Sequence, residues 1–167
     1  MRTRVLLPVL AALGVASPLP ARASPVPPAP APAWVAPLAG VLDVTRTFER
    51  PPGPYAAGHR GVDLGGLAGS AALAAGDGLV VFAGMVAGRP VVSIDHADGL
   101  RTTYEPVNPS VAAGQQVARG SPIGTLVPGH AGCPREACLH WGLRRGETYL
   151  DPMRLLHPVQ VRLLPLE

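Results

Sequence analysis

Leu79-Val80-Val81-Phe82-Ala83-Gly84-Met85-Val86-Ala87-Gly88-Arg89-Pro90-Val91-Val92-Ser93-Ile94-Asp95-His96-Ala97-Asp98-Gly99-Leu100-Arg101-Thr102-Thr103-Tyr104-Glu105-Pro106-Val107 is the stretch whose pattern sets the fold. Three short β-rich runs, Leu79 to Ala83, Pro90 to His96 and Leu100 to Val107, are separated by Ala87-Gly88-Arg89 and Ala97-Asp98-Gly99. Both separators are turn signals, the second strengthened by its Asp-Gly pair. Further along, Val111 to Val117, Ile123 to Val127 and Ala137 to Leu143 continue the rhythm. Helical periodicity is confined to a short tail around Met153 to His157. Short strands at regular spacing predict a mainly β fold: an antiparallel β-sandwich or barrel-sandwich hybrid, built as a single domain.

The ends of the chain read differently. Arg2 and Arg4 precede an apolar run from Val5 to Ala16, and Ala21-Arg22-Ala23 fits a small-residue cleavage site. Residues 1–23 are therefore expected to be a signal peptide, an uncleaved membrane anchor being the alternative; the run is short for a bilayer span. Residues 24–37 form a Pro/Ala-rich tract, read as an extended linker. Residues 38–158 are left for one β domain with a sizeable core, and 159–167 for a C-terminal tail.

Charge follows from this division. All 14 basic residues are arginine, against 11 acids. Cleavage after residue 23 removes three arginines and leaves a near-neutral mature chain. No basic stripe marks nucleic acid as a partner, and no membrane span remains after cleavage. The mature protein is expected to be a secreted monomer.

Gly58-His59-Arg60-Gly61-Val62-Asp63-Leu64 places His59 and Asp63 four residues apart among glycines that disfavour a helix. In an extended strand they would lie roughly 13 Å apart, whereas zinc needs each donor about 2 Å away. The backbone must bend between them, and Gly61 is expected to permit it. On its own the pair also reads as an exposed His and a turn Asp. Leu139-His140-Trp141-Gly142-Leu143 reads as a strand with His140 opposite in direction to Leu139 and Trp141, and Cys138 on the side of His140. Alone, His140 also reads as a core histidine.

In order, these fragments resemble the lysostaphin-type (LytM-like) zinc metalloendopeptidases, which cut peptide cross-links in bacterial cell walls. The likeness runs from about Trp34 to Leu156. It includes Gly76-Asp77-Gly78-Leu79-Val80-Val81-Phe82-Ala83-Gly84, Ile94-Asp95-His96-Ala97-Asp98-Gly99-Leu100 and Val111 to Gly124. The resemblance implies one zinc ion held by His59, Asp63 and His140, with peptidoglycan peptides as substrate and a cell-wall location. It also implies two further catalytic histidines, in an H-x-H and a Y-x-H segment. Those positions here hold Cys138 and Pro106, the latter in Tyr104-Glu105-Pro106.

Cys133 and Cys138 are the only cysteines. In an exported chain they are expected to form a disulfide, worth about 2 kcal/mol by chain entropy. Cys138 as a thiolate ligand closing a structural zinc site is the alternative. His130, in the loop before the metal strand, is the expected general acid/base, assisted by Tyr104 or Glu105. A bland loop histidine is the competing reading. His96 is expected to be a strand-end residue, His157 has no assigned role, and Arg144, Arg145 and Glu147 form a solvated rim.

Two functions follow: a zinc-dependent endopeptidase acting on peptidoglycan cross-links, or a catalytically degenerate zinc-retaining module that binds wall or regulates another hydrolase. Val111 to Gly124 also resembles the hairpin of lipoyl and biotinyl carriers. Those carriers need an acceptor lysine, and the chain has none.

Overall fold

The computed structural model describes residues 33–53 and 55–157. The expected signal peptide, most of the Pro/Ala tract and the expected C-terminal tail lie outside the described residues. The central hairpin is formed by β4 (Gly78–Val86) and β5 (Arg89–Asp95), which close directly over Ala87-Gly88 with Val86 opposite Arg89. Both turn residues have positive φ, Ala87 at 48° and Gly88 at 81°. Such a two-residue turn matches the right-handed twist of the strands it joins. Asp98 and Gly99 make the same kind of reversal, with φ of 60° and 67°, and lead into β6 (Leu100–Glu105).

The remaining strands are β1 (Asp43–Arg46), β2 (Gly61–Gly66), β3 (Ala71–Leu73), β7 (Val107–Pro109), β8 (Gln116–Val117), β9 (Pro122–Leu126), β10 (Ala137–Arg145) and β11 (Thr148–Leu150). A short α-helix, α1, spans Met153–Leu156, where helical periodicity was expected. The large sheet runs β1-β2-β10-β6-β5-β4-β8, with β11 also paired to β10; β3-β9-β7 form a second, three-stranded sheet. All pairings are antiparallel and neither sheet closes into a barrel. One buried apolar cluster draws on both sheets, with Leu64, Val92, Ile94, Tyr104, Leu139 and Trp141 from the large one and Ala72, Val107, Ile123 and Leu126 from the small one. The sheets are thus the two layers of a sandwich around a shared core.

Two boundaries differ from the sequence reading. Val111 to Val117 is not one strand: Gly114, at φ 88°, makes a turn, and only Gln116 and Val117 join the sheet. The linker ends earlier than residue 37. Trp34 packs edge-on against the His96 ring and against the core, Val35 N–H donates to Ala75 O, and Leu73 N–H donates to Pro37 O. Prolines do not keep a segment extended once an adjacent indole has core surface to cover.

Candidate metal centre

The register of the large sheet brings the site together. β10 lies between β2 and β6, with His140 directly opposite Asp63 on one side and Glu105 on the other. Alternation sends Leu139 and Trp141 into the core, where both are fully buried, and turns His140 to the open face. His59 sits just before β2, held by a two-way backbone bridge with Glu49.

Three ligand-type atoms converge there. His59 Nε2 is 2.9 Å from Asp63 Oδ1, His140 Nδ1 is 2.8 Å from the same oxygen, and the two ring nitrogens are 3.1 Å apart. A tetrahedral ion with bonds of about 2.0–2.1 Å needs donor separations of about 3.3–3.4 Å, so a slight opening accommodates it. The second atom of His59 supports the same reading. Its Nδ1 lies 2.7 Å from Thr47 O, so Nδ1–H donates to that carbonyl and leaves the Nε2 lone pair facing the cluster. The donor set of two imidazoles and one carboxylate fits zinc with a position left open.

Asp63 is 4% exposed. Burial raises its pKa, but hydrogen bonds from His140 and His130 and the charges of His130 and His59 outweigh that and hold it at about 2. Its second oxygen, Oδ2, lies 3.1 Å from His130 Nε2, and the His130 ring stacks near His140 with centroids 5.8 Å apart. The loop after β9 thus delivers His130 to the ligand cluster. Cys133 and Cys138 are bonded, with Cα atoms 5.6 Å apart, which removes the thiolate-ligand alternative.

Gly61 acts differently from expectation. It has no left-handed backbone angle; instead, a Cβ there would lie 2.4 Å from Trp141 O and 2.8 Å from His140 Cε1 and Nε2. The glycine makes room for the His140 ring. Tyr104 is a correction. It sits opposite Trp141 on the core face, fully buried, accepting from Ala75 N–H and from Thr102 Oγ1 at 2.9 Å each. One residue of strand alternation separates it from the site. Glu105, its neighbour, does face the open side and pairs with Arg89 at 3.1 Å. His96 is structural, bonded to Asp77 O and Thr102 Oγ1.

Beside His140 a cleft of about 370 Å³ is lined by Arg60, Arg89, Arg101, Arg144, Glu105 and Tyr149, among others. Sequence reasoning left all these arginines except Arg144 unremarked. They come from four separate segments, and only the register gathers them.

The sequence model of peptidase family M23 matches residues 57–152. An uncharacterised protein of Mycobacterium tuberculosis strain H37Rv is 50% identical over 127 residues, covering 74% of this chain and 51% of the relative. The chain therefore spans about half the length of the curated relatives it matches. The catalytic domain of the prophage-encoded M23 protein EnpA from Enterococcus faecalis, solved as a point mutant, superposes with a TM-score of 0.56 at 25% identity, covering 71% of this chain and 95% of that one. The catalytic domain of the antimicrobial peptidase lysostaphin from Staphylococcus simulans shares the fold, with a TM-score of 0.59 at 24% identity over 70% and 92% of the two chains.

Proposed function

The chain belongs to peptidase family M23, and from that premise we propose that it is a zinc-dependent endopeptidase acting on peptidoglycan cross-link peptides at the cell wall. The observation that carries the reading is the convergence of His59 Nε2, Asp63 Oδ1 and His140 Nδ1 within 2.8–3.1 Å of one another. His59, Asp63 and His140 would hold one zinc ion. When bound, the ion supplies Lewis acidity, lowering the pKa of a bound water toward neutrality and polarising the scissile carbonyl.

The protein's own residues do the rest. His59 is oriented by the Thr47 carbonyl, and Asp63 bridges the ligand set to His130. With its Nε2–H donated to Asp63 Oδ2, His130 would take a proton from the attacking water at Nδ1 and return it to the leaving amine, as the absent family histidines would. Its position on Asp63 Oδ2 fixes the ring plane for that transfer. Glu105, directly across the sheet from His140, assists from the cleft wall. Export by the residue 1–23 signal peptide and a monomeric mature chain complete the proposal. Among the described residues no helix is long and apolar enough to cross a membrane.

A second reading, a zinc-retaining module that binds wall or regulates another hydrolase, is favoured by Cys138 and Pro106 standing where the family's two proton-handling histidines belong. Metal content and wall digestion separate the two. The enzyme binds close to one zinc per chain, loses it on His140→Ala, and releases new amino groups from purified wall until a chelator is added. One zinc per chain with no release from any wall type assigns the regulatory module.

A further inference from the structure

The open face of the large sheet carries three parallel cross-strand rows. The first is Asp63, His140 and Glu105. The second is Gly61, Gly142, Thr103 and Ser93, low except where the His140 ring lies over Gly61. The third sets Arg144 directly opposite Arg101, with Tyr149 and Asp95 at its ends. Antiparallel partners share a face, so the arginine row forms a wall across a groove from the metal row.

Two like charges directly opposite each other on adjacent strands are destabilising. The counterions here leave much of that charge unanswered. Asp95 occupies Nε and Nη2 of Arg101, leaving its other N–H groups for a ligand. Arg144 is held by Gly146 O and by Glu147, whose side chain is 98% exposed at 3.5 Å; such an exposed pair is worth little. Arg89, paired with Glu105, lines the same cleft.

We propose that this cleft binds a carboxylate of the substrate peptide, with Arg144 and Arg101 as the clamp. The inference rests on the peptidase reading above and deepens it: the substrate is an acidic wall peptide with a free carboxylate near the scissile bond, not an uncharged bridge. Guanidinium forks match carboxylates in two-point geometry, and the shared His140 edge puts the clamp within one peptide's reach of the ligand cluster. Gly142, Thr103 and Ser93 leave a low floor beside the His140 ring, along which the peptide backbone would lie.

Calorimetric titration of the zinc-loaded full chain tests this with two synthetic cross-linked stem-peptide fragments. One has its carboxylates free; the other has them converted to carboxamides. The acid form is expected to bind about tenfold tighter or more, with the difference shrinking as salt rises from about 0.05 to about 0.5 M. Arg144→Gln should bring the acid/amide ratio toward one; Arg144→Lys, which keeps the charge but not the fork, should leave an intermediate ratio. Melting curves and zinc content check that both variants are folded. Equal Kd values for the two peptides, or no binding of either, overturn the clamp, and cleavage of the amide form then leaves the peptidase reading standing. Acid-selective binding without cleavage of either peptide upholds the clamp and overturns the peptidase reading instead.

Discussion

His130 Nε2 lies 3.1 Å from Asp63 Oδ2, the oxygen left over after His59 and His140 have taken Oδ1. One buried carboxylate therefore joins the zinc-type ligand set to a histidine that reaches it from another part of the chain. The family's extra histidines come from positions that hold Cys138, on β10, and Pro106, between β6 and β7, here. In this protein the nearby imidazole arrives from the loop between β9 and β10.

The disulfide belongs to that arrangement. Cys133 N–H donates to His130 O at 3.3 Å, and the Cys133–Cys138 bond ties this loop to β10 two residues before His140. Replacing both cysteines by serine should cost about 2 kcal/mol in urea unfolding. It should also slow wall cleavage while zinc content stays near one per chain, because His59 and Asp63 are on another segment and His140 is held in β10 by its pairing with β2 and β6. Full activity in the double variant would show that the loop holds His130 without the bond.

Gly61 should tolerate no side chain. A Cβ 2.4 Å from Trp141 O must push against backbone, and the 2.8 Å contacts fall on the His140 ring itself. Gly61→Ala is expected to weaken zinc binding by about 10–100-fold, the usual cost of misorienting a ligand. Competition with a chromophoric chelator measures it, and unchanged affinity would remove the packing role assigned to this glycine.

Tyr104 should matter for stability and not for catalysis. Burial raises its phenol pKa to about 12, against which the Thr102 and Ala75 hydrogen bonds act only in part. Because the folded value lies above the ordinary 10, the contribution is complete below pH 10 and is lost as pH rises toward about 12. Tyr104→Phe should cost about 1–3 kcal/mol by leaving Ala75 N–H buried without its acceptor. It should also flatten this alkaline limb and leave wall cleavage within about twofold. A large loss of cleavage in a folded variant would contradict the assignment.

Ala87 stands at φ 48°, where the two-residue turn asks for a left-handed residue and alanine has no side-chain means of easing it. Ala87→Asn should raise stability by about 0.5 kcal/mol or more, read as a higher Tm, since asparagine favours this position of the turn. A lower Tm would mean that the alanine methyl makes a contact worth more than the strain.

How much of this was legible beforehand follows the range of the interactions. The hairpins were readable because their turns use local chemistry, Ala87-Gly88 and Asp98-Gly99. His59, Asp63 and His140 could be named from motif order, and the cysteine pairing from composition. Tyr104 was misplaced because alternation along β6 could not be phased until its pairing with β10 was known; a shift of one residue moves a side chain from site to core. The arginine row was hidden for the same reason, since Arg101 and Arg144 are far apart in sequence and meet only through register. Trp34 was assigned to the linker because prolines dominate its neighbourhood, and nothing local announces the His96 ring it covers.

The central claim is that His130 does the proton transfer of an active zinc peptidase. The most direct test is the rate of amino-group release from purified peptidoglycan by zinc-loaded wild type and zinc-loaded His130→Ala, side by side. The account predicts steady release by the wild type and a rate at least about 100-fold lower for the variant at equal zinc content. Equal rates for the two proteins, or no release by a wild type carrying its full zinc, would contradict it.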